Sequence, residues 1–326
     1  MSVYMVTGCA GFIASNVSQQ LLQAGHTVVG VDNLNQAYDV RLKQWRLQQL
    51  RHHKQFAYHQ ADISDLGALR RVWDAYAAEL SGVINLAAQA GVRRSVEDPW
   101  IYVETNVTGT LNLLDLCRRS EVKKFVLASS SSLYGADNPM PYSEDANTDH
   151  PISPYAASKK AAEVLAHTYA RLHDIDVTIL RYFTVYGPAG RPDMSIFRFI
   201  QWINEGRPVT VFGDGQQSRD FTYVDDIARG TIQALRPLGF EIVNLGSDQP
   251  VVLLDIIRTI EQELGKAANL VFQPRHPADV LATWASIDKA RELLDWQPQT
   301  DYVEGIAKTV QWHQHNYAWA KDITTA

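Results

Sequence analysis

Cysteine is scarce. Cys9 and Cys117 are the only two in 326 residues, too few for a disulfide framework, and a reducing cytoplasm is the expected setting. Cys9 falls in a glycine turn, where it is expected as a small buried filler. Runs of one charge are also missing. Thirty basic residues face thirty-six acidic ones, a net charge of −6 with no basic run, which argues against nucleic acid or an anionic membrane as partner. Any phosphate must then be held by individual arginines. No stretch approaches the roughly 18 apolar residues of a membrane span, and the apolar pattern begins at Val3 with no basic segment before it. Neither a secretion signal nor a spanning helix is expected, and the protein is predicted to be soluble and intracellular. His52, His53 and His59 have no carboxylate or cysteine at metal-ligand spacing, so they are placed on the surface and no metal site is expected. Internal repeats and low-complexity tracts are absent as well.

What the chain does have is a composition that is 46% hydrophobic, enough to bury a large core in two lobes. Short apolar runs at 3–6, 27–31, 55–59, 82–86, 124–128 and 176–180 predict buried strands. Helices are predicted from the first glycine turn to about Gln23 and over 40–50, 66–78, 100–118 and 154–173. Repeated strand–helix units with nearly continuous apolar strands mean a parallel sheet covered on both faces. The expected fold is α/β: a Rossmann-type doubly wound parallel sheet over residues 1–183, with a smaller C-terminal substrate-binding domain over 184–326, interleaved with the first. Ligands of such a sheet collect at the carboxyl ends of the strands, where Gly11, Asp32, Asp62, Ala87 and Ser129 fall.

Three stretches carry chemistry at that edge. The first strand runs into Thr7-Gly8-Cys9-Ala10-Gly11-Phe12-Ile13-Ala14, a glycine turn opening a helix, which can set backbone N–H groups against a pyrophosphate. The second strand ends in Asp32, placed to bond adenosine ribose hydroxyls and to repel a 2′-phosphate, which favours NAD over NADP. A loop acid or helix cap is the plainer alternative. The third is Ser153-Pro154-Tyr155-Ala156-Ala157-Ser158-Lys159, with Ser153 as N-cap and Pro154 as first helical residue. Tyr155 and Lys159 stand four apart on one helix face. An ammonium alongside, a helix N-terminus beneath and a nicotinamide cation would each favour the phenolate, making Tyr155 a proton acceptor near neutral pH. In isolation this spacing is commonly solvated surface. Ser129-Ser130-Ser131-Ser132-Leu133-Tyr134-Gly135, by itself an ordinary flexible loop, ends the strand before that helix and offers hydroxyls to a sugar oxygen.

Taken together, Gly8-x-x-Gly11-Phe12-Ile13, Asp32-Asn33-Leu34, Leu86-Ala87-Ala88, Asn106, Ser130, Tyr155-x-x-x-Lys159 and Arg219-Asp220-Phe221-Thr222-Tyr223-Val224-Asp225-Asp226 resemble the extended short-chain dehydrogenases that act on nucleotide sugars. The resemblance spans essentially the whole chain. It implies NAD as cofactor, Tyr155 as acid/base, Lys159 on the nicotinamide ribose and Ser130 on the sugar 4-oxygen. Gly8, Gly11, Phe12, Ile13, Asp32 and Asn33 would line the cofactor, Asp62 and Ile63 its adenine end. Leu86, Ala87, Ala88, Gln89 and Asn106 would meet its middle, and Tyr182 and Val185 the nicotinamide end. Ala14 stands where the family carries glycine, an accepted variant at a position that serves helix–strand packing. The family mechanism oxidises sugar C4 and then returns hydride to the other face or runs a second reaction on the ketone.

The same resemblance assigns the second half to a uridine diphosphate sugar. Arg93, Thr184, Arg191, Met194, Phe197, Val211, Phe212, Arg219 and Asp279 are the expected substrate contacts beside Ser130, Ser131, Ser132 and Tyr155. Arg219 is expected to be buried and to take a diphosphate with its planar fork; the alternative is an ion pair with Asp220, Asp225 or Asp226. His276 replaces another diphosphate-binding side chain of many relatives. Family dehydratases carry Asp-Glu after the serine and uronate decarboxylases Ser-Glu, whereas this chain has Ser131-Ser132. Together with Arg181-x-Phe183-Thr184-Val185-Tyr186-Gly187-Pro188-x-Gly190-Arg191-Pro192-Asp193-Met194 and Asn85-Leu86-Ala87-Ala88-Gln89-Ala90-Gly91-Val92-Arg93, that pair resembles the epimerases of UDP-glucuronate. The implied reaction is reversible C4 epimerisation to UDP-galacturonate, with Arg191 on either the carboxylate or the diphosphate. A UDP-glucose or UDP-N-acetylglucosamine 4-epimerase, a UDP-glucuronate decarboxylase and a non-catalytic NAD-binding protein are the alternatives. Family analogy adds a homodimer packed through helices 100–118 and 154–173.

Overall fold

The computed structural model describes residues 1–275 and 280–325. Six strands and their crossovers come first: β1 (Val3–Thr7), α1 (Phe12–Gln23), β2 (Thr27–Asp32), α2 (Val40–Leu50), β3 (Phe56–Gln60), α3 (Leu66–Asp74), β4 (Leu80–Asn85), α4 (Val92–Glu97) and α5 (Trp100–Tyr102). A π-helical turn over Val103–Thr108 leads into α6 (Gly109–Ser120), β5 (Lys124–Ser130), α7 (Pro154–His173) and β6 (Asp176–Tyr182). All six strands are parallel, in the order 3-2-1-4-5-6. Strand order therefore reverses between β1 and β4, and a crevice opens there at the carboxyl ends.

Capping explains where the helices start. Asp39 accepts from Arg41 N, Asp65 from Ala68 N and Ser153 from Ala156 N, each at the entrance of its helix. Asp174 ends α7 in the left-handed conformation at φ +54°. The predicted helix over 66–78 stops at Asp74, because the next residues form the turn into β4. The predicted continuous helix over 100–118 is interrupted by the π turn, which swings Asn106 into the crevice. Neither α4 nor the single 3-10 turn over Ser131–Tyr134 was expected; six and four residues are too short to show a helical period.

The remaining elements are β7 (Thr184–Tyr186), α8 (Ser195–Asn204), β8 (Pro208–Phe212), β9 (Ser218–Tyr223), α9 (Val224–Gln233), β10 (Phe240–Leu245), β11 (Pro250–Val252), α10 (Leu253–Leu264), β12 (Asn269–Gln273), α11 (Asp288–Leu294), α12 (Tyr302–His315) and α13 (Tyr317–Ala320). β10 runs parallel to β6 and becomes the seventh strand, so the sheet draws a strand from beyond residue 183. One apolar layer joins Leu21, Ile227, Leu245 and Trp296, and the other joins Leu69, Trp73, Leu113 and Ala162. A third core, around Phe199, Val211, Phe221, Ile256 and Ile306, holds the second lobe together. Cys9 is fully buried and fills space against Gly30, where a Cβ would stand 2.8 Å from its sulfur. No helix among the described residues is long and apolar enough to cross a membrane.

Candidate active site

The crevice between β1 and β4 is built by residues with no room for change. Gly8 has φ +69°, and a Cβ there would lie 2.8 Å from Ala87 Cα; one on Gly11 would lie 2.8 Å from the Gly8 carbonyl oxygen. The backbone can turn this tightly only without side chains. α1 has no side-chain cap at its N-terminus, so the amides of its first turn are left for an anion. Asp32 braces the turn, accepting from Ala10 N at 3.1 Å and Leu34 N at 2.8 Å. A carboxylate has lone pairs left for ribose hydroxyls after two such bonds. Asn33 donates to Asp62 at 2.6 Å. Burial pushes the Asp62 carboxyl up, but hydrogen bonds from Ser64 and Asn33 more than offset it and hold the group below its ordinary value.

On the β4 side, Asn106 grips the Gln89 backbone, accepting from Gln89 N at 2.8 Å and donating to Gln89 O at 3.0 Å. Gln89 Oε1 is itself buried without a hydrogen-bond partner, an orphan acceptor that a ligand donor would satisfy. Ile63 packs against Gly109, and Leu86, Ala87 and Ala88 form the half-buried wall. Side-chain-free glycines, an uncapped helix start, Asp32 and the Gln89 oxygen fit a dinucleotide laid across the switch point.

α7 brings the catalytic candidates to the same edge. Lys159 Nζ donates to the Ala128 carbonyl at 2.9 Å, four residues along the helix from Tyr155. Ser130 ends β5 and starts the serine turn, accepting from Ser132 N and donating to Ser132 Oγ, both at 3.1 Å. The expected bias of Tyr155 toward phenolate rests in part on a bound nicotinamide cation, and the protein's own side chains alone do not produce it. Burial raises the phenol, and Ser130 and the Arg191 charge only partly counter it; burial also lowers Lys159 to about 8, with Glu163 opposing. In these surroundings desolvation outweighs the neighbouring charges and favours the neutral phenol.

Beneath this pair lies a polar network that the sequence did not reveal. Glu163, one turn beyond Lys159, accepts from Ser129 Oγ at 2.5 Å and from Arg181 at 3.0 and 2.9 Å. Arg181 also donates to Tyr134 Oη at 3.1 Å. The i, i+4, i+8 spacing of Tyr155, Lys159 and Glu163 carries this information, because it keeps all three on one face toward β5. The Tyr155 ring meets Tyr102 edge-on at 6.1 Å.

Some expected contacts are placed elsewhere. Tyr182 is buried, its hydroxyl paired with Thr231 at 2.8 Å, because alternation along β6 turns it toward α9 and Arg181 toward α7. Val211 is fully buried in the second core and Phe197 packs among Leu42, Ala189 and Ile323. Their neighbours Phe212 and Met194 are the more open ones, and Phe212 lies 4.4 Å beneath the Arg93 guanidinium. Thr184, Val185, Ser131 and Ser132 are half-buried along the crevice. Asp279 and His276 lie outside the described residues.

Arg219 is half-buried rather than buried, and donates to the carbonyls of Ser218, Val280 and Leu281. Of the three carboxylates offered as its alternative partners, Asp220 accepts from Ser247 and the Ala285 amide, and Asp226 pairs with Arg229. Arg198 on α8 was missed. Burial lowers its guanidinium and Arg93 adds repulsion, with Asp193 opposing. Arginines gathered this closely suit an anion of more than one charge. Arg191 pairs bidentately with Asp193 at 3.0 and 2.5 Å. Burial disfavours its charge, but Asp193 outweighs this and holds it above its ordinary value. Away from this edge, a cavity lined by Lys123, His167, Arg171 and Phe240 opens at the amino ends of the strands. It lies across the sheet from Tyr155 and the glycine turn.

Residues 4–246 match the family described as the NAD dependent epimerase/dehydratase family. The UDP-glucuronate 4-epimerase of Thermodesulfobacterium geofontis is 53% identical over 324 residues, 99% of each chain. Among solved structures, UDP-glucuronic acid 4-epimerase from Bacillus cereus in complex with UDP-glucuronic acid and NAD superposes with a TM-score of 0.89 at 38% identity, covering 97% of this chain and 100% of that one. UDP-glucose 4-epimerase from Thermotoga maritima, solved with UDP-glucose, gives a TM-score of 0.88 at 30% identity over 97% of this chain and 99% of that one.

Proposed function

This chain belongs to the NAD-dependent epimerase/dehydratase family, and from that premise we propose that it interconverts UDP-glucuronate and UDP-galacturonate through a transient 4-keto sugar. NAD, when bound, accepts the C4 hydride and gives it back. Tyr155 takes the proton of the 4-hydroxyl as the ketone forms and returns it after the sugar has turned over. Lys159 holds the nicotinamide ribose, and its charge together with the nicotinamide cation offsets the burial that keeps the phenol neutral. Ser130 holds the 4-oxygen. Arg93, Arg198 and Arg219, with Phe212 and Met194 beside them, form the diphosphate and uridine end; Thr184 and Arg191 lie at the sugar.

The observation that carries the substrate assignment is the serine turn. Ser130 and Ser132 bond each other at 3.1 Å, and residues 130–134 contain no carboxylate. Oxidation at C4 of a glucuronate makes a β-keto acid that loses carbon dioxide once its carboxylate stands perpendicular to the ketone plane. Neutral hydroxyls can hold the carboxylate away from that angle, whereas an acid there would repel it. Offering UDP-glucuronate, UDP-glucose and UDP-N-acetylglucosamine separately tests the assignment. Conversion of the uronate at least ten times faster is the expected result; preference for a neutral sugar would overturn it. Ser132→Glu should raise the decarboxylated UDP-pentose from a trace to a major product, read by chromatography, and an unchanged product ratio would count against the hydroxyl cradle.

The protein also belongs, on this reading, in the cytoplasm as a homodimer. Trp100 is 80% exposed, and Val103, Val164 and Leu172 are exposed on the adjoining α5–α6 and α7 surfaces, which a second copy would cover. Sedimentation should give twice the 36.6 kDa chain mass, shifting to the single-chain value in Trp100→Glu. A parent protein sedimenting as one chain would refute the dimer.

A further inference from the structure

We propose that Arg46 is the positioning residue of the sugar end of the site, holding the bend at Ala189–Arg191 against the glycine turn so that Arg191 keeps its place at the crevice. Arg46 lies on α2 and is 2% exposed. Its Nε and Nη2 donate to the Ala189 carbonyl at 3.0 and 2.6 Å, and Nη2 also donates to the Gly190 carbonyl at 3.1 Å. Nη1 donates to the Ala10 carbonyl at 3.1 Å and to Tyr38 Oη at 2.7 Å. All five N–H bonds of the guanidinium are used. Every acceptor in this set is neutral. Burying a guanidinium among neutral acceptors is a poor way to gain stability, because desolvation is repaid without an opposite charge.

What the acceptors have in common is their position. Ala10 sits inside the cofactor turn, between Gly8 and Gly11, while Ala189 and Gly190 directly precede Arg191. Ala189 adopts φ +51°, a left-handed conformation that a residue with a side chain keeps only when its surroundings impose it. Two of the Arg46 bonds end on its carbonyl. Gly190 packs onto Phe12 of the glycine turn, and a Cβ there would stand 3.1 Å from the Gly187 carbonyl oxygen and 3.8 Å from Phe12 Cζ. Arg191 is then held from the other side by Asp193, its guanidinium 5.9 Å from the ring of Tyr38, whose hydroxyl Arg46 also bonds. One side chain on α2 thus joins the phosphate-binding turn to the bend that carries Arg191.

The kinetic arm of the test rests on the substrate reading above; the exchange arm does not. Arg46→Lys keeps the charge, but one ammonium cannot span acceptors on both sides. Gly190→Ala keeps Arg46 and crowds the bend against the Gly187 carbonyl oxygen. In the NAD-loaded protein, hydrogen exchange across 187–194 should quicken at least tenfold in both variants. KM for UDP-glucuronate should rise, or kcat fall, by roughly tenfold to a hundredfold, the scale of a misplaced contact, while the inhibition constant of UDP, which has no sugar for Arg191, stays within twofold. Unchanged exchange at 187–194, or KM and the UDP constant rising together, would overturn the proposal. Should Arg46→Lys not fold, Arg46→Gln, which keeps two N–H donors and drops the charge, is read by the same exchange and kinetic measurements. If the parent converts a different UDP-sugar, the substrate reading fails, and exchange with the KM for that sugar still decides the role of Arg46.

Discussion

Replacing Tyr155 with phenylalanine should lower turnover of UDP-glucuronate by roughly 10²–10⁴-fold, the range for a lost general acid–base, with NAD content and melting temperature unchanged. The substitution removes one oxygen and keeps the ring. Its edge contact with Tyr102 at 6.1 Å and the Lys159 bond to Ala128 at 2.9 Å do not depend on that oxygen, so the fold and the cofactor edge stay in place. The size of the effect follows from burial. Burial favours the neutral phenol, so Tyr155 can take the sugar hydroxyl's proton only where the Lys159 ammonium and a bound nicotinamide cation would offset that burial. No titratable side chain stands in the serine turn at 130–133 to replace it. Steady-state rates with parallel cofactor extraction check this. Turnover within threefold of the parent would remove Tyr155 from the chemistry.

Gly8→Ala should be as severe by a different route. The new methyl group would stand 2.8 Å from Ala87 Cα and 2.9 Å from Ala87 N, both backbone atoms that cannot swing aside, and the residue would have to keep φ +69°. A left-handed non-glycine residue costs on the order of 1–3 kcal/mol before any overlap is counted. Relief comes only by parting the glycine turn from the β4 extension, which is where the pyrophosphate is expected. Purified Gly8→Ala should therefore carry less than a tenth of the parent's NAD and show no measurable epimerisation, with a lowered melting temperature. Parent-like NAD content would show that the turn is not the cofactor's cradle.

The two halves of the site differ in how far the sequence reveals them. Gly8, Gly11, Asp32, Tyr155 and Lys159 are legible because each depends on local geometry: a turn without side chains, a strand end, a helix spacing. The doubly wound sheet is legible for the same reason, since its strands are continuous apolar runs. Alternation within a strand is harder to place without knowing which neighbour covers each face. Tyr182 and Val211 are near the expected ligand in the chain, yet their side chains enter the core beside Thr231 and among the second lobe's apolar residues. Partners on different elements are not marked by any local pattern, even where, as for Glu163, the helix spacing tells which face the side chain takes. Arg46 meets Ala189 across 143 residues and Glu163 meets Arg181 from a different element. The phenolate expectation depends on more than spacing, which brings an ammonium close but says nothing about how far both groups are removed from water.

The most direct measurement is proton NMR of the purified protein with UDP-glucuronate in deuterium oxide, with neither NAD nor reductant added. The account predicts a standing mixture of UDP-glucuronate and UDP-galacturonate in which the sugar H4 signal keeps its full intensity, because the hydride leaves C4 and returns to it without meeting solvent. Accumulation of a UDP-pentose with carbon dioxide, or loss of the H4 signal to deuterium, would contradict it.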